Sequence, residues 1–455
     1  MLNNPIRITL LLALIVLGLG SYILFVDIPQ TRQFQKQETQ ERQLLPFDDR
    51  DITTITWATA TEIIHLERDD KWRWTITKPM RFPADNQEVR RILRALTIGK
   101  IKRIIEDGPA TLDKYGLDPP YLTLTLNTPT TTQELALGDR GPFAPSLYVQ
   151  TKADNQVVLT TLDVMTFAQK TLTNFRLKDL LFFDRERVQE VHLQQADTTL
   201  VMARTAGVHS LSPNWMFTSP MKAPADKITV GTLLMDLSGL TATGFVDSEE
   251  EKQRILGQPS RTHVGITILE GPRTHHVSLY QFQDAEKAYA LTSSKGPLYE
   301  ISPSILNPIT QGVFYFQDKR LFGMEINDVV MLEVTTPQQS YGLIKQHAEW
   351  IIENEPTVPL NQEVVNLFVS RVVDIPAEIS HPEHSPSALH HGLDSPSAII
   401  RGRNRQGQEI GQLVLGKREK GLVFARGAGH QGLYQVRDTI LDQIPNQAKL
   451  VRAGN

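Results

Sequence analysis

The sequence predicts an α+β fold: one N-terminal transmembrane helix followed by three tandem copies of a mostly antiparallel sheet with a helix packed on it. Three observations predict it. Residues 8–26, ITLLLALIVLGLGSYILFV, form an uncharged apolar run. A segment with a tryptophan, two prolines and a helix start recurs three times. Short runs alternating apolar and polar residues surround each copy, the period of half-buried strands.

At a rise of about 1.5 Å per residue, the run over 8–26 comes close to the hydrocarbon core of roughly 30 Å. Arg7 and the amino terminus precede it and Asp27 follows. The positive-inside tendency then puts residues 1–7 in the cytoplasm and the rest of the chain outside. A cleaved signal peptide fits less well, because the run exceeds the usual h-region of about 7–15 residues and no A-x-A-like site follows. Residues 27–48 are polar and rich in glutamine, and read as a stalk.

The copies are found by sliding Trp74 onto Trp215. Pro79, Pro83 and Asp85 then fall on Pro220, Pro224 and Asp226. The third copy carries Trp350, Pro356, Pro359 and Asn361, with one extra residue between tryptophan and first proline. Apolar residues follow at i, i+3, i+4 and i+7, one face of an amphipathic helix. They are Val89, Ile92, Leu93 and Leu96, then Val230, Leu233, Leu234 and Leu237, then Val365, Phe368, Val369 and Val372. Asp85, Asp226 and Asn361 sit where an N-cap belongs, and Glu88 completes a capping-box spacing with Asp85. Alternating pairs of runs precede each tryptophan: DITTITW and EIIHLER, VQEVHLQ and TLVMART, DVVMLEV and YGLIKQH. Later segments also recur, KYGLDPP as HHGLDSP and ELALGD as QLVLGK, with worn middle copies. The expected repeat domains are 49–184, 185–323 and 324–455. FRLKDLLFFDRE and FQDKRLFGMEIN mark the joins, where aromatic and basic residues predict packing of neighbours.

Composition excludes several chemistries. The chain of 455 residues is 40% hydrophobic and 22% charged, with net charge −4. No global basic field would hold nucleic acid. There is no cysteine, so thiol catalysis, disulfides and thiolate metal sites are ruled out. The sequence has no G-x-x-x-x-G-K-[ST], G-x-S-x-G or H-E-x-x-H, so nothing marks an ATPase, a nucleophile elbow or a zinc peptidase. No cofactor is expected, and the chain is not expected to be an enzyme.

With Trp, Pro, PAD, a Val/Leu helix, YGLDPP, LALGD, LYV and FR…LLFFD in place, the chain resembles a bacterial domain-of-unknown-function repeat family. The resemblance is strong in the first copy, good in the second over NWMFTSPMKAPAD, and weaker in the third. It implies one N-terminal membrane helix and an auxiliary role in an uncharacterised ABC-type transport system of the kind associated with gliding motility. It implies no reaction.

Four groups of side chains are weighed as sites. His381, Glu383, His384, His390 and His391 in HPEHSPSALHHG could ligate a divalent ion, but Pro382 and Pro386 break the helical frame a ligand set would use, so a solvated loop is the stronger reading. Arg90, Arg91 and Arg94 lie beside the apolar stripe of the first helix; a solvated face is the plain reading, an acidic partner or headgroup the sharper one. Trp74, Trp215 and Trp350 could stack a glycan or peptide but fit core positions better. Asp118 and Asp394 mark turns first, and Asp139 has no visible acid partner.

The expected function is a non-catalytic accessory or scaffold protein, single-pass in the bacterial inner membrane, with its bulk periplasmic. The expected partners are that membrane, through residues 8–26, and a membrane protein such as an ABC-type permease. The alternative is a periplasmic module binding cell-wall glycan or an exported substrate, and a hydrolase is the least favoured.

Overall fold

The computed structural model describes residues 43–108, 111–163, 167, 170–196, 198–205, 214–282, 286–292, 296–381, 391–428, 430 and 432–451. Three large sheets dominate them, of nine, nine and eight strands. The chain divides into two compact units, Met1–Lys178 with the first sheet and Asp179–Asn455 with the other two.

The first sheet uses β1 (Thr54–Ala58), β2 (Ile63–Arg68), β3 (Trp74–Lys78), β4 (Phe82–Pro83), β5 (Ile101–Asp107), β6 (Leu122–Asn127), β7 (Thr132–Arg140), β8 (Leu147–Thr151) and β9 (Gln156–Thr160). Their order is β4-β3-β2-β1-β6-β7-β8-β9-β5, with antiparallel pairing. Helix α1 (Asn86–Ile98) joins β4 to the far edge strand β5. The second sheet repeats this order with β10 (Val188–Gln195), β11 (Thr198–Thr205), β12 (Asn214–Ser219), β13 (Ala223–Ala225), helix α2 (Lys227–Ser238), β14 (Gly244–Val246), β15 (Ser260–Glu270), β16 (Arg273–Phe282), β17 (Ala288–Leu291) and β18 (Leu298–Ile301). The third has β19 (Met331–Thr335), β20 (Ser340–Gln346), β21 (Glu349–Ile352), helix α3 (Gln362–Val373), β22 (Ile379–His381), β23 (Ala398–Arg403), β24 (Glu409–Glu419), β25 (Leu422–Gly427) and β26 (Leu433–Arg437). It lacks the short strand after its tryptophan; Pro356 and Pro359 stand in the turn that replaces it.

Strand alternation explains the faces. In β6, LTLTLN, each leucine is buried and each threonine half-buried. The leucines meet the apolar stripe of α1, and all four predicted positions of every helix are buried. Burying each such side chain contributes about 1.5–3 kcal/mol before entropy is charged against it.

The expected fold class is corrected. Each copy has one helix of 12 or 13 residues against eight or nine strands, so sheet dominates and helices are few. No helix among the described residues is long and apolar enough to cross a membrane; 13 residues rise only about 20 Å. The span expected over 8–26 lies outside the described residues, and the single-pass inner-membrane placement is not carried forward. The expected stalk also ends earlier than residue 48, since Leu44 and Leu45 are buried in the first core.

Leu44 begins a latch that recurs: Leu44–Leu45, Leu180–Leu181 and Leu321–Phe322 are all buried. In each, the first N–H donates to a carbonyl just past the helix, Gly99, Leu240 or Ile375, at 3.0–3.2 Å. Within the second unit the stretch Gln317–Phe322 serves two sheets. Asp318 N–H donates to Pro224 O, and Leu321 N–H donates to Ile375 O. Phe322 and Met324 lie over the facing glycines Gly402 and Gly411 of β23 and β24.

Candidate functional site

The tryptophan–proline segment is built by backbone bonding. Trp74, Trp215 and Trp350 are buried in the three cores. Pro83 and Pro224 lie in the strands paired with the tryptophan strands, while Pro79 and Pro220 stand at the preceding bends. The cap side chains then accept two helix N–H groups each: Asp85 from Gln87 and Glu88, Asp226 from Ile228 and Thr229, Asn361 from Glu363 and Val364. The cap's own N–H donates to Phe175 O, Phe316 O or Leu450 O at 2.7–2.8 Å. That bond takes the donor a capping box would use. Glu88 therefore does not reach back; it pairs with Lys170 at 2.7 Å and with Arg91.

The glycine motifs are a packing device. A Cβ on Gly138 would lie 2.2 Å from Tyr115 O, and one on Gly116, at φ +64°, would strike the Asp139 carboxyl. In the third copy Gly416 is as close to His391 O, and Gly392, at φ +69°, abuts Lys417. The loop thus lies directly on the strand. The second copy has Tyr280 in place of one glycine and Gly257, at negative φ, near the other, so both halves of the fit are absent together. Tyr115 donates to Glu106 at 2.6 Å, and that bond pushes its phenol up to about 12. Asp118 and Asp394 stand in the loops that these glycines seat.

The histidine cluster is only partly within the described residues; Glu383, His384 and His390 lie outside them. His381 Nε2 is 3.1 Å from Gln435 Oε1, and His391 packs 4.2 Å from Phe424. Among the described residues no three His, Asp or Glu side chains are grouped to hold a metal.

What differs between copies is the outer side of one helix. In α1 it bears Gln87, Arg90, Arg91 and Arg94, all exposed. Arg91 pairs with Glu88, whereas Arg90 and Arg94 make no ion pair among the described residues. Exposed Lys100, Lys102 and Arg103 follow in sequence, with exposed Ile98 and Ile104 among them. In α2 the same positions are Ile228, Gly231, Thr232 and Met235; Ile228 is 72% and Met235 52% exposed. A groove lined by Thr232, Asp236, Asn307, Pro308, Gln311 and Tyr315 runs beside them. In α3 they are Glu363, Asn366, Leu367 and Ser370, and Asn366 accepts from the Trp350 indole at 3.0 Å. Sequence reading reached the arginines but missed α2, although its second stripe at i, i+3, i+4 and i+7 was there to see.

The fold and these faces define a class: tandem antiparallel sheets, each carrying one capped helix with a constant inner and a variable outer side. Residues 74–259 match the family described as domain of unknown function (DUF4340), so such a domain is found across parts of the first two copies. No curated protein matches the chain. Among solved structures, DNA polymerase III subunit beta from Borrelia burgdorferi, in complex with a natural product, aligns at 8% identity. The alignment covers 90% of this chain and 95% of that one, with a TM-score of 0.14, and a likeness that slight carries no argument.

Proposed function

We propose that this protein is a non-catalytic scaffold whose repeated sheets present different helix faces to different partners. One observation carries the reading: the inner stripe of the helix is apolar in all three copies, while its outer side is basic in α1, apolar in α2 and mixed in α3. A fold requirement would act on the inner side only. Free guanidinium groups at Arg90 and Arg94 suit an acidic partner surface, where charge chiefly sets encounter rate and specificity. The assembly we assign it to is an ABC-type transport or cell-envelope complex, as the family resemblance implies.

Photo-crosslinkers placed at positions 94, 235 and 367 test this. The expected result is capture of defined proteins, with those from position 94 lost in Arg90→Glu. Capture of nothing from any face, with saturable glycan binding by the isolated chain, would overturn it. The groove beside Tyr315 supports that second reading, a module for a glycan or exported substrate.

A further inference from the structure

We propose that one end of the first unit docks on the surface of an anionic lipid bilayer, with Ile98, Ile104 and Phe143 set into the interface and Lys100, Lys102 and Arg103 on the headgroup phosphates. The inference goes beyond the helix faces read above and uses neither Arg90 nor Arg94. It asks for no membrane-crossing helix.

Three elements meet at this end. Helix α1 stops at Ile98 and β5 starts at Ile101. Ile101 pairs with Thr160 of β9, and Thr160 with Leu147 of β8, so the loop over 141–146 that leads into β8 lies at the same end. Lys102 Nζ reaches Pro145 O in that loop at 3.4 Å. Ile98 is 67%, Ile104 51% and Phe143 63% exposed. Lys100, Lys102 and Arg103 stand exposed between the two isoleucines and make no ion pair among the described residues. Residues 98–105, IGKIKRII, hold no acidic side chain.

Three observations name lipid as the occupant. Large apolar side chains interspersed with cations suit a bilayer interface, where cations meet phosphate and apolar groups meet the acyl boundary. The edge strand β5 is also unfit to take a further strand from a protein. Its register against β9 slips between Ile101 and Arg103 and again between Ile104 and Glu106, and such bulges turn an edge away from pairing. Finally, the chain enters the fold here: Gln43 bridges Lys100, and Leu44 N–H donates to Gly99 O at 3.0 Å. The uncharged apolar run over 8–26 precedes Gln43 by the residues 27–42, which span at most roughly 55 Å. The apolar medium that takes up that run therefore lies within reach of the patch. The fold does not demand these cations, since the equivalent segments GLTATGFV (239–246) and DIPAEISH (374–381) carry no lysine or arginine.

An apolar run can bring the full chain to any vesicle, so the test reads the patch locally. The chain has no cysteine, so Phe143→Cys gives a unique site for an environment-sensitive fluorophore. Thr130→Cys, in the turn at the opposite end of β7, is the control. The full chain is mixed with vesicles of phosphatidylcholine, alone or with phosphatidylglycerol. With phosphatidylglycerol, emission from position 143 is expected to shift to the blue and to be quenched by brominated lipid, while position 130 stays unchanged. The shift weakens as salt is raised. Lys100→Glu/Lys102→Glu/Arg103→Glu raises the lipid concentration needed for it at least about ten-fold, with the melting temperature unchanged. A label at 143 that does not respond, that responds equally in phosphatidylcholine alone, or that moves together with the label at 130 would sink the proposal. Protein capture at the helix faces without a response at 143 overturns this proposal alone; a response at 143 with no capture at any helix face overturns the scaffold reading alone.

Discussion

The main-chain N–H of Asp226 donates to the carbonyl of Phe316 at 2.7 Å, while the Asp226 carboxylate accepts from Ile228 and Thr229. One residue thus closes its own domain and starts its helix. Asp85 with Phe175 and Asn361 with Leu450 repeat the relationship. Asp226→Ala is expected to lower stability by about 1 kcal/mol, and Asp226→Asn by a few tenths. Amide exchange at Ile228 and Thr229 should quicken in the alanine variant. Unchanged exchange there would show that the cap carries no weight.

The loop-on-strand fit makes a second prediction. Gly138→Ala pushes a Cβ to 2.2 Å from Tyr115 O, with backbone on both sides of the clash. It should destabilise the first unit by about 1–3 kcal/mol. Gly265→Ala is the control, because its Cβ would meet Gln194 at an ordinary 3.7 Å. Denaturant melts that rank the two equally would remove the glycine fit as the explanation of the motif.

His430 gives the pH dependence. Its Nε2–H donates to Arg320 O at 3.0 Å, and its Nδ1 accepts from Gln317 Nε2 at 3.2 Å; Gln317 also donates to Tyr434 at 2.7 Å. Burial holds the imidazole below its ordinary value of 6.5, against the smaller opposing pulls of Arg320 O and the nearby Asp318 carboxylate. A second proton would place a donor against the Gln317 amide. The neutral ring is therefore the folded form. Its contribution is whole above about pH 6.5 and is lost as pH falls below that and through the lowered value. His430→Gln should flatten that part of the stability–pH curve, measured by denaturant melts from pH 7.5 to 4.5. A curve of unchanged slope would assign the acid sensitivity elsewhere.

Phe322 and Met324 occupy the space that Gly402 and Gly411 leave open. A Cβ on Gly402 would come within 2.7 Å of both side chains. Gly402→Ala should destabilise the third sheet by about 1–3 kcal/mol, and Phe322→Leu should recover part of that loss. Strict additivity of the two changes in melts of the full chain would mean that they do not share the space.

Much of the scaffold was legible. The stripe Val230, Leu233, Leu234, Leu237 and its two counterparts show the helix, because its period is written in neighbouring residues. The alternation of LTLTLN shows a strand for the same reason. The latch at Leu44–Leu45 was hidden: a pair of leucines is too short to display a period, and its partner carbonyl on Gly99 is distant in sequence. The fit of Gly116 to Asp139 was hidden likewise, since both halves had to be seen in contact.

By itself, the sequence determined the threefold repetition, the helix with its cap, and the absence of cysteine chemistry. These follow from local period and residue type. Only the tertiary structure decided that sheet outweighs helix, that the main-chain N–H of each cap residue closes its domain on Phe175, Phe316 or Leu450, and that Gln317, Arg320 and His430 form one joint. Those depend on long-range pairing, where a backbone donor finds its acceptor some 90 residues away, as Asp226 finds Phe316.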